Sequence, residues 1–290
     1  MGPLELYSYV WSLRDPRTAD WGLTADAKFV FPLIALYLYV VKYAGPRFME
    51  NRKPYSLKPA ILTYNVFMVV ANLYFFWNFL RRSYLGGGYS LFCQGVSYGT
   101  DAKSMELLNL GWWYSIVRVL DFLDTIFFVL RKKYAHISSL HVIHHTLVVF
   151  SGWLWMTFAS DGQVMLGLCF NALIHVIMYS YYALAALGPR VRPYMGWKRY
   201  LTKLQIFQFA FLLGHISITL VYDCGYPRAL TRIAIAQGVL GLYLFIDFYW
   251  KTYRAQQEAS QMMTAKQSSN KTPICADHQA AFNLEARKTA

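Results

Sequence analysis

The sequence predicts an all-α protein that crosses a lipid bilayer seven times. The prediction rests on composition, on long apolar windows and on the distribution of basic residues. Apolar residues make up 56% of the 290 residues and charged residues only 15%, whereas charged residues make up about 25% of an average soluble protein. So few charges cannot cover a soluble globule with a water-facing shell. The aromatic content of 18% also excludes disorder for most of the chain.

Seven apolar windows are long enough to cross the hydrocarbon core as helices. The first window is short, and the third and fifth contain polar residues. The windows lie at residues 28–43, 61–80, 108–130, 138–157, 163–187, 204–222 and 230–250. The chain becomes polar at about residue 256, which predicts a membrane domain over residues 1–255 and a disordered tail over residues 256–290.

Basic residues are concentrated in alternate loops, which sets the predicted orientation. The loops after the first, third and fifth windows and the tail contain most of the Lys and Arg residues. Because basic loops remain cytosolic, the N-terminus is predicted to be lumenal or external and the C-terminus cytosolic. The same bias accounts for much of the net charge of +13. The predicted partner is therefore the lipid bilayer, and no nucleic-acid partner is predicted.

The four cysteines contain no CxxC pair, so no zinc or iron–sulfur site is predicted. Cys93 and Cys224 fall in the predicted lumenal loops after the second and sixth windows, where oxidation is allowed. A disulfide between them and two free thiols both remain open. A glycosylation sequon at residues 270–272 lies on the predicted cytosolic side, where it should stay unused.

The third window contains three charged residues, Arg118, Asp121 and Asp124, at every third position. This spacing places Arg118 and Asp121 on one helix face with Asp124 beside them. Each charge costs about 2.5–3.5 kcal/mol near the centre of a membrane helix, so such residues face one another or a cavity. Two interpretations remain open: an internal salt bridge that fixes helix packing, and a polar wall of a substrate chamber.

The fourth window begins with His141, His144 and His145, and their i, i+3 and i+4 spacing places all three on one stripe near the cytosolic end. Helix packing alone explains such a stripe poorly, so the three are candidate catalytic residues. In the fifth window, Asn171 and His175 lie one helical turn apart at membrane depth, where both need polar partners. They complete the candidate catalytic set.

The fifth and sixth windows add polar residues toward the cytosolic side. Tyr179 and Tyr182 follow His175 at helical spacing, and Gln205 and Gln208 share a face of the sixth window. An aromatic packing stripe and a hydrogen bond between helices are the structural alternatives. The functional interpretation is a chamber between spans three to six that opens to the cytosol.

Basic residues surround the predicted mouth of this chamber. A basic rim outside an apolar, histidine-lined cavity suits a ligand with a phosphate-bearing head and a hydrocarbon tail, such as acyl-CoA. Determination of membrane topology is the alternative explanation of the rim. The rim residues are Arg131, Lys132, Lys133, Lys198, Arg199 and Lys203. The candidate substrate-binding residues are Arg118, Asp121, Asp124, Arg131, Lys132, Tyr179, Tyr182, Lys203, Gln205 and Gln208.

A histidine cluster also suggests a metal site, because membrane di-iron desaturases and hydroxylases use HxxHH motifs. Those enzymes resemble one another in having further histidine motifs, whereas this chain has seven histidines in all and no second HxxHH. Imidazole suits iron or zinc, but a second ligand set is missing, so no metal is predicted. A metal-dependent lipid desaturase or hydroxylase remains the alternative enzyme, and a seven-helix receptor or transporter the alternative without catalysis.

Without a metal, histidine acts as a base, an acid or a nucleophile. A buried neutral imidazole can attack a thioester and form an acyl-imidazole, which remains reactive enough to pass its acyl group to a carbanion. A neighbouring imidazole can move the proton, and Asn171 can donate a hydrogen bond to the developing oxyanion. Cys169 has no base at an evident spacing, so histidine is the better candidate nucleophile.

Eight short motifs occur in a definite order between residues 15 and 253. They are DPR at 15–17, GPRFMENRKPY at 45–55, YN at 64–65, LDTIFFVLRKK at 123–133, LHVIHH at 140–145, NALIHVIMYSYY at 171–182, YLTKLQIFQF at 200–209 and LFIDFYWKTY at 244–253. The HxxHH motif alone is ambiguous, whereas this order of motifs is highly specific. The chain resembles the fatty acid elongase family, the very-long-chain 3-oxoacyl-CoA synthases of the endoplasmic reticulum.

The resemblance implies that spans two to seven form a barrel around a narrow acyl tunnel closed at the lumenal end. It implies condensation of a long-chain acyl-CoA with malonyl-CoA, which releases CO2 and CoA and yields a 3-oxoacyl-CoA two carbons longer, without a cofactor. By motif, His144 would form the acyl-imidazole, with His141, His145 and His175 assisting. The family also implies the endoplasmic reticulum membrane and reductase and dehydratase partners, and it leaves a homo-oligomer open.

The chain departs from the family pattern at several positions. The family usually has KxxExxD in the third span, where Arg118 and Asp121 replace Lys and Glu. Both replacements keep the charge but change the geometry. His136 replaces the family's Gln before HxxHH, and Ile143 replaces the usual aromatic residue within it. These departures leave the preferred chain length open. The terminus at residues 287–290 resembles a dilysine retrieval signal with Arg in place of one Lys.

Overall fold

The computed structural model describes residues 2–254, 257 and 261–264, and the regular secondary structure within these residues is helical. Between residues 2 and 254 the α-helices are α1 (Pro3–Ser12), α2 (Ala27–Tyr39), α3 (Gly45–Met49), α4 (Lys58–Leu80), α5 (Ala102–Leu120), α6 (Phe122–Leu130), α7 (Ser139–Phe158), α8 (Val164–Leu187), α9 (Lys198–Val221) and α10 (Arg228–Tyr249). Short 3₁₀ turns lie at Leu23–Ala25, Tyr134–His136 and Arg192–Tyr194, and π turns lie at Val40–Ala44, Arg81–Leu85 and Trp250–Arg254.

Five helical segments in the described part of the chain are long and apolar enough to cross a membrane. They correspond to predicted spans one, two, five, six and seven, and the protein is a multi-pass membrane protein. Predicted spans three and four also form helices, but they are not among these five segments. The count of seven spans and the barrel around an acyl tunnel therefore stay predictions. The five segments are Ala27–Met49, Lys58–Leu85, Val164–Leu187, Lys198–Val221 and Arg228–Arg254.

The predicted third span is two helices rather than one. Helix α5 ends at Leu120 and α6 begins at Phe122, so Asp121 lies at the junction. The backbone amide of Asp124 donates to the carbonyl oxygen of Asp121 at 3.2 Å, and this i to i+3 bond tightens the backbone at the junction. The break therefore occurs within the charged motif that the sequence singled out.

Side-chain caps fix the start of three helices. Asp26, Asp101 and Ser138 each accept a hydrogen bond from a backbone amide in the first turn of α2, α5 and α7. The cap at Asp101 starts α5 before the predicted window, which begins at residue 108. The Ser138 hydroxyl accepts from the backbone amide of His141 at 3.2 Å. This cap therefore sets where the histidine-bearing helix begins.

Cys93 and Cys224 form a disulfide that links the loop between α4 and α5 to the loop between α9 and α10. Their Cα atoms lie 5.8 Å apart. This pairing is one of the two alternatives that the sequence left open. The two cysteines are 131 residues apart in the sequence, so the bond strongly restricts the unfolded chain. We call the end of the helices that carries this bond the disulfide end.

A buried ion-pair network at the disulfide end was not predicted from the sequence. The Arg17 guanidinium lies 2.6 Å from a carboxylate oxygen of Asp15 and 3.0 Å from one of Asp161. Asp161 also accepts from the backbone amide of Ser97 at 2.9 Å. Burial raises the pKa of the Asp15 carboxyl, but hydrogen bonds from Arg17 and its charge lower that pKa by more, to below its ordinary value. The network joins the N-terminal segment, the loop before α5 and the turn between α7 and α8.

The chain divides into two compact units, Met1–Phe245 and Ile246–Ala290. The candidate functional site described below belongs to the first unit. Apart from residues 257 and 261–264, the predicted tail lies outside the described residues. The sequon at 270–272 and the terminal signal at 287–290 lie outside them as well, so these features stay predictions.

We expect loss of the disulfide to destabilise the protein. Cys93→Ser should lower the free energy of unfolding by about 2–4 kcal/mol, because the unfolded chain regains the entropy that the cross-link removes. Thermal denaturation of the detergent-purified protein measures the effect. As a control, the double variant Cys93→Ser/Cys224→Ser should melt at the same temperature as Cys93→Ser, because both lack the same bond. A Cys93→Ser variant as stable as the wild type would contradict the expectation.

Candidate functional site

A cavity of about 300 Å³ lies between α5, α7, α8, α9 and α10. Its wall is mainly apolar, with Leu147, Val148 and Leu212 among the lining residues. Apolar walls with a few polar groups are typical of small-molecule sites. Among its polar lining residues are Ser115, Arg118, His144, Ser151, Ser160, Gln163, Asn171, Gln208, His215 and Gln237.

Hydrogen bonds connect the cavity wall to the loop that carries Cys93. The Gln163 side-chain oxygen accepts from the backbone amide of Gln94 at 2.8 Å. The Nε2 atom of His215 lies 3.0 Å from the carbonyl oxygen of Leu91. Both Gln163 and His215 line the cavity. The disulfide-linked loop therefore packs against the polar residues at the disulfide end of the cavity.

His144 is the member of the histidine stripe that lines the cavity. Its ring packs edge-on against Phe209 and Phe245, with ring centroids 6.4 and 5.8 Å away. Within the described residues, no hydrogen bond involves the His144 ring. Its ring nitrogens are therefore available to a molecule in the cavity.

The other two histidines of α7 do not line this cavity. Nε2 of His141 lies 2.8 Å from the Thr125 hydroxyl, which in turn lies 2.9 Å from the Tyr37 hydroxyl. The His145 ring centroid is 4.2 Å from that of His141, and its Nδ1 has no hydrogen-bond partner in the described part of the chain. Throughout the described residues, no three His, Cys, Asp or Glu side chains are placed to hold a metal ion.

Arg118 is a charged residue on the cavity wall, and it is 3% exposed. Its guanidinium lies 3.2 Å from Asp121 Oδ2 and donates to Asn72 Oδ1 at 2.7 Å. It also contacts a ring nitrogen of His175. A buried charge is costly unless it is paired and hydrogen-bonded. These partners offset most of that cost, and within the described residues only the Nε atom of the guanidinium has no partner. Arg118 thus forms the predicted internal ion pair and also lies on the wall of a cavity. The interpretation of this cavity as a substrate chamber stays a prediction.

The two aspartates of the third span meet at Tyr179, which is fully buried. The Tyr179 hydroxyl oxygen lies 2.9 Å from Asp121 Oδ1 and 2.8 Å from Asp124 Oδ2. The Tyr64 hydroxyl lies 3.3 Å from the same oxygen. These aspartates do not line the cavity, and Arg118 connects them to it.

Two predicted amide side chains also lie on the cavity wall. The Tyr114 hydroxyl donates to Oδ1 of Asn171 at 2.7 Å, which orients that amide. Gln208 lines the wall from α9 and is 6% exposed. Together with His144 and Arg118, these residues are the candidate site residues that the cavity brings together.

Other predicted site residues lie off the cavity wall. The Lys132 ammonium donates to the backbone carbonyl of Glu50 at 3.0 Å. The Gln205 amide nitrogen lies 3.7 Å from the sulfur of Met178. The predicted substrate-binding residues outside the wall are Asp121, Asp124, Arg131, Lys132, Tyr179, Tyr182, Lys203 and Gln205.

Positive charge is concentrated near the start of α7. Burial lowers the pKa of His136, and the positive charges of Lys198, Lys133 and Arg131 lower it further. Basic residues from the loops after the third and fifth predicted spans therefore lie near His136. We call this region, at the end of α7 nearer His144, the basic end.

Sequence reasoning missed several residues that support the site. Asn72 accepts from Arg118, and Tyr114 orients Asn171. Asn72 gave a usable signal, because an asparagine within an apolar window needs a polar partner. Tyr114 gave none, because the chain contains 23 tyrosines and nothing in its local sequence distinguishes it.

Comparison with known proteins identifies the family. The family model described as ELO, the GNS1/SUR4 family, matches residues 23–261. The chain belongs to this family. Very long chain fatty acid elongase 4 of Mus musculus is 38% identical over 267 residues, which cover 92% of this chain and 84% of the relative. The predicted resemblance to the fatty acid elongases is confirmed.

Two further relatives of this elongase family match over similar lengths. Very long chain fatty acid elongase 4 of Homo sapiens is 37% identical over 262 residues, which cover 90% of this chain and 83% of the relative. Very long chain fatty acid elongase 7 of Rattus norvegicus is 37% identical over 251 residues, which cover 86% of this chain and 89% of the relative. The matches thus include the region that contains the cavity.

We expect Arg118 and Asp121 to depend on each other for stability. Arg118→Met leaves Asp121 buried without its cation and should lower the free energy of unfolding by about 3–5 kcal/mol. Arg118→Met/Asp121→Asn removes both charges and should recover most of that loss. Melting temperatures of the wild type, both single variants and the double variant measure the coupling.

The exposed pair of Arg82 and Glu106 is the matched control, because its side chains are 34% and 58% exposed. Arg82→Met should cost less than about 1 kcal/mol, since water screens an exposed pair. Strictly additive losses for Arg118 and Asp121 would contradict the predicted dependence.

Proposed function

We propose that the protein catalyses the condensation step of very-long-chain fatty acid elongation. It would join a long-chain acyl-CoA to malonyl-CoA, release CO2 and CoA, and produce a 3-oxoacyl-CoA two carbons longer. The observation that carries the proposal is the His144 ring on the wall of a mainly apolar cavity. The relatives named very long chain fatty acid elongase support the substrate class.

The two ends of the site suit the two ends of an acyl-CoA. The hydrocarbon tail would occupy the apolar cavity, with its terminus toward Gln163 and His215. The phosphates of CoA would lie at the basic end, where Arg131, Lys132 and Lys203 supply positive charge. Tyr182 and Gln205, which lie off the cavity wall, would contact the CoA portion.

Acyl transfer would begin with attack of a neutral His144 nitrogen on the thioester carbon. An N–C bond forms, and the C–S bond breaks when CoA leaves with the electron pair. The side-chain N–H of Asn171 would stabilise the oxyanion, because its Oδ1 is already held by Tyr114. His141 and His145 would orient the His144 ring, and His175 would move protons.

Condensation would follow when malonyl-CoA loses CO2. The electron pair of the broken C–C bond forms an enolate, which attacks the acyl carbon and regenerates neutral His144. Arg118 lies on the wall with an unpaired Nε and would stabilise this negative charge, as would Gln208. Asp121 and Asp124 would act indirectly, by holding Arg118 and Tyr179 in place. No step of this sequence needs a cofactor.

The cellular setting is part of the same proposal. The basic end would face the cytosol, where acyl-CoA and malonyl-CoA are supplied. The disulfide end would face the oxidising lumen of the endoplasmic reticulum. The 3-oxo product requires reduction and dehydration, so a reductase and a dehydratase would act next. The N-terminus would then be lumenal and the C-terminus cytosolic.

Incubation of membranes with labelled malonyl-CoA and a series of long-chain acyl-CoAs tests the proposal. We expect label in 3-oxoacyl product for the wild type and a loss of about a thousandfold or more for His144→Gln, because the nucleophile is missing. Cys169→Ala is the matched control and should retain activity, because Cys169 packs in an apolar cluster and does not line the cavity. Activity that survives in His144→Gln, or no labelled product in the wild type, would overturn it.

A further inference from the structure

The Tyr179 hydroxyl lies between two carboxylates but has a single hydrogen to donate. Its oxygen is 2.9 Å from Asp121 Oδ1 and 2.8 Å from Asp124 Oδ2, and both distances are those of hydrogen bonds. Ionised carboxylates accept hydrogen bonds and cannot donate them. Two ionised carboxylates would therefore leave one close oxygen–oxygen contact without a hydrogen. One of the two carboxyl groups must carry a proton.

The charges around the pair assign that proton to Asp124. Arg118 lies 3.2 Å from Asp121 and stabilises it as a carboxylate. Among the described residues, Asp124 makes no ion pair, and two carboxylates that share one hydroxyl repel each other when both are charged. The titratable and charged groups that face the pair come from α2, α4, α5 and α8. They are Tyr37, Tyr64, Arg118, His175 and Tyr179.

The contacts continue from this proton toward the cavity. Asp124 can donate to Tyr179, which can donate to Asp121. Asp121 Oδ2 lies 4.0 Å from Nδ1 of His175, the longest step of the chain. That separation is longer than a hydrogen bond, so the relay requires the imidazole to tilt toward Asp121. Arg118 contacts the His175 ring and lines the cavity, so the relay ends directly behind the wall.

The proposed condensation consumes one proton per turnover, because the CoA released from acyl-CoA leaves as a thiolate. We propose that Asp124 stores this proton and delivers it through Tyr179, Asp121 and His175. This proposal rests on the proposed function and assigns a proton donor to it. Asp124 acts through other side chains and so is a relay residue that does not touch the substrate.

The relay keeps protons and charge in balance. When the C–S bond breaks, Asp124 gives its proton to Tyr179, and the hydroxyl proton of Tyr179 passes to the Asp121 carboxylate and on to one nitrogen of His175. The other nitrogen of His175 releases a proton to the sulfur, so the sulfur gains a proton, Asp124 becomes a carboxylate, and Tyr179, Asp121 and His175 keep their charge. The new negative charge balances the positive acyl-imidazolium formed on His144. The malonyl-derived enolate then attacks the acyl carbon and returns His144 to its neutral form. One proton from solvent restores Asp124, which accounts for the proton consumed.

Infrared spectroscopy tests the stored proton without any substrate. The full-length protein in a detergent without ester groups should show the carbonyl band of a protonated carboxylic acid at pH 7, and D2O should shift it. Asp124→Asn should remove this band. Asp101→Asn is the matched control and should retain it, because Asp101 is an exposed helix cap and asparagine also caps helices. Absence of the band in the wild type, or its survival in Asp124→Asn, would overturn the proposal.

Release of CoA from acyl-CoA in the absence of malonyl-CoA tests the delivery. Asp124→Asn keeps the size of the side chain but has no acidic proton, so single-turnover CoA release should slow by about tenfold or more. The KM for acyl-CoA should change by less than about twofold, because the residue does not touch the substrate. Lower pH should recover part of the rate, since solvent then protonates the thiolate.

Tyr179→Phe is the second variant, because it interrupts the relay while leaving both aspartates in place. It should slow CoA release as Asp124→Asn does, and it covers the case in which Asp124→Asn fails to fold. An unchanged rate of CoA release in a folded variant would overturn the proposal. If the wild type released no CoA and formed no product, the proposed function would fail, while the infrared result would still report on the proton.

Discussion

The burial of Arg118 is the constraint on which the candidate site depends. A guanidinium that is 3% exposed inside an apolar helical protein is stable only with partners that offset its desolvation. Asn72, Asp121 and His175 supply them from α4, the α5–α6 junction and α8. One charge thus fixes the relative positions of several helices. It also holds His175 against the cavity wall and aligns Asp121 with Tyr179.

The cavity combines two environments that suit the proposed acyl-CoA substrate. Most of its wall is apolar, which suits a hydrocarbon chain, and several of its polar groups are hydrogen-bonded to neighbouring residues. Tyr114 orients Asn171, and the loop of Cys93 bonds to Gln163 and His215. No described side chain or backbone group forms a hydrogen bond with the nitrogens of the His144 ring. An unsatisfied imidazole beside an apolar space is suited to reaction with a ligand.

Apolar periodicity predicted the helices well but their interruptions poorly. All seven windows became helical, and the basic residues marked one end of the site. The break at Asp121 was not foreseeable from local sequence, because the partners that hold this residue, Arg118 and Tyr179, include one far along the chain. The motif at residues 15–17 was recognised by resemblance alone. Its role in pairing with Asp161 required the tertiary structure.

The histidine stripe illustrates the same limit within the site. Helical spacing correctly placed His141, His144 and His145 close together, but it could not say which ring would line a cavity. That choice depends on Thr125, which engages His141, and on Phe209 and Phe245, which flank His144. These partners come from α6, α9 and α10, so no pattern within α7 contains the information.

The covalent state of His144 is the most direct measure of this account. Purified protein would be incubated with a long-chain acyl-CoA alone, quenched, digested and analysed by peptide mass spectrometry. We expect the peptide that contains His144 to carry the added mass of the acyl group, and this added mass to disappear when malonyl-CoA is added before quenching. An acyl group on Cys169, or unmodified His144 in protein that still turns over, would contradict it.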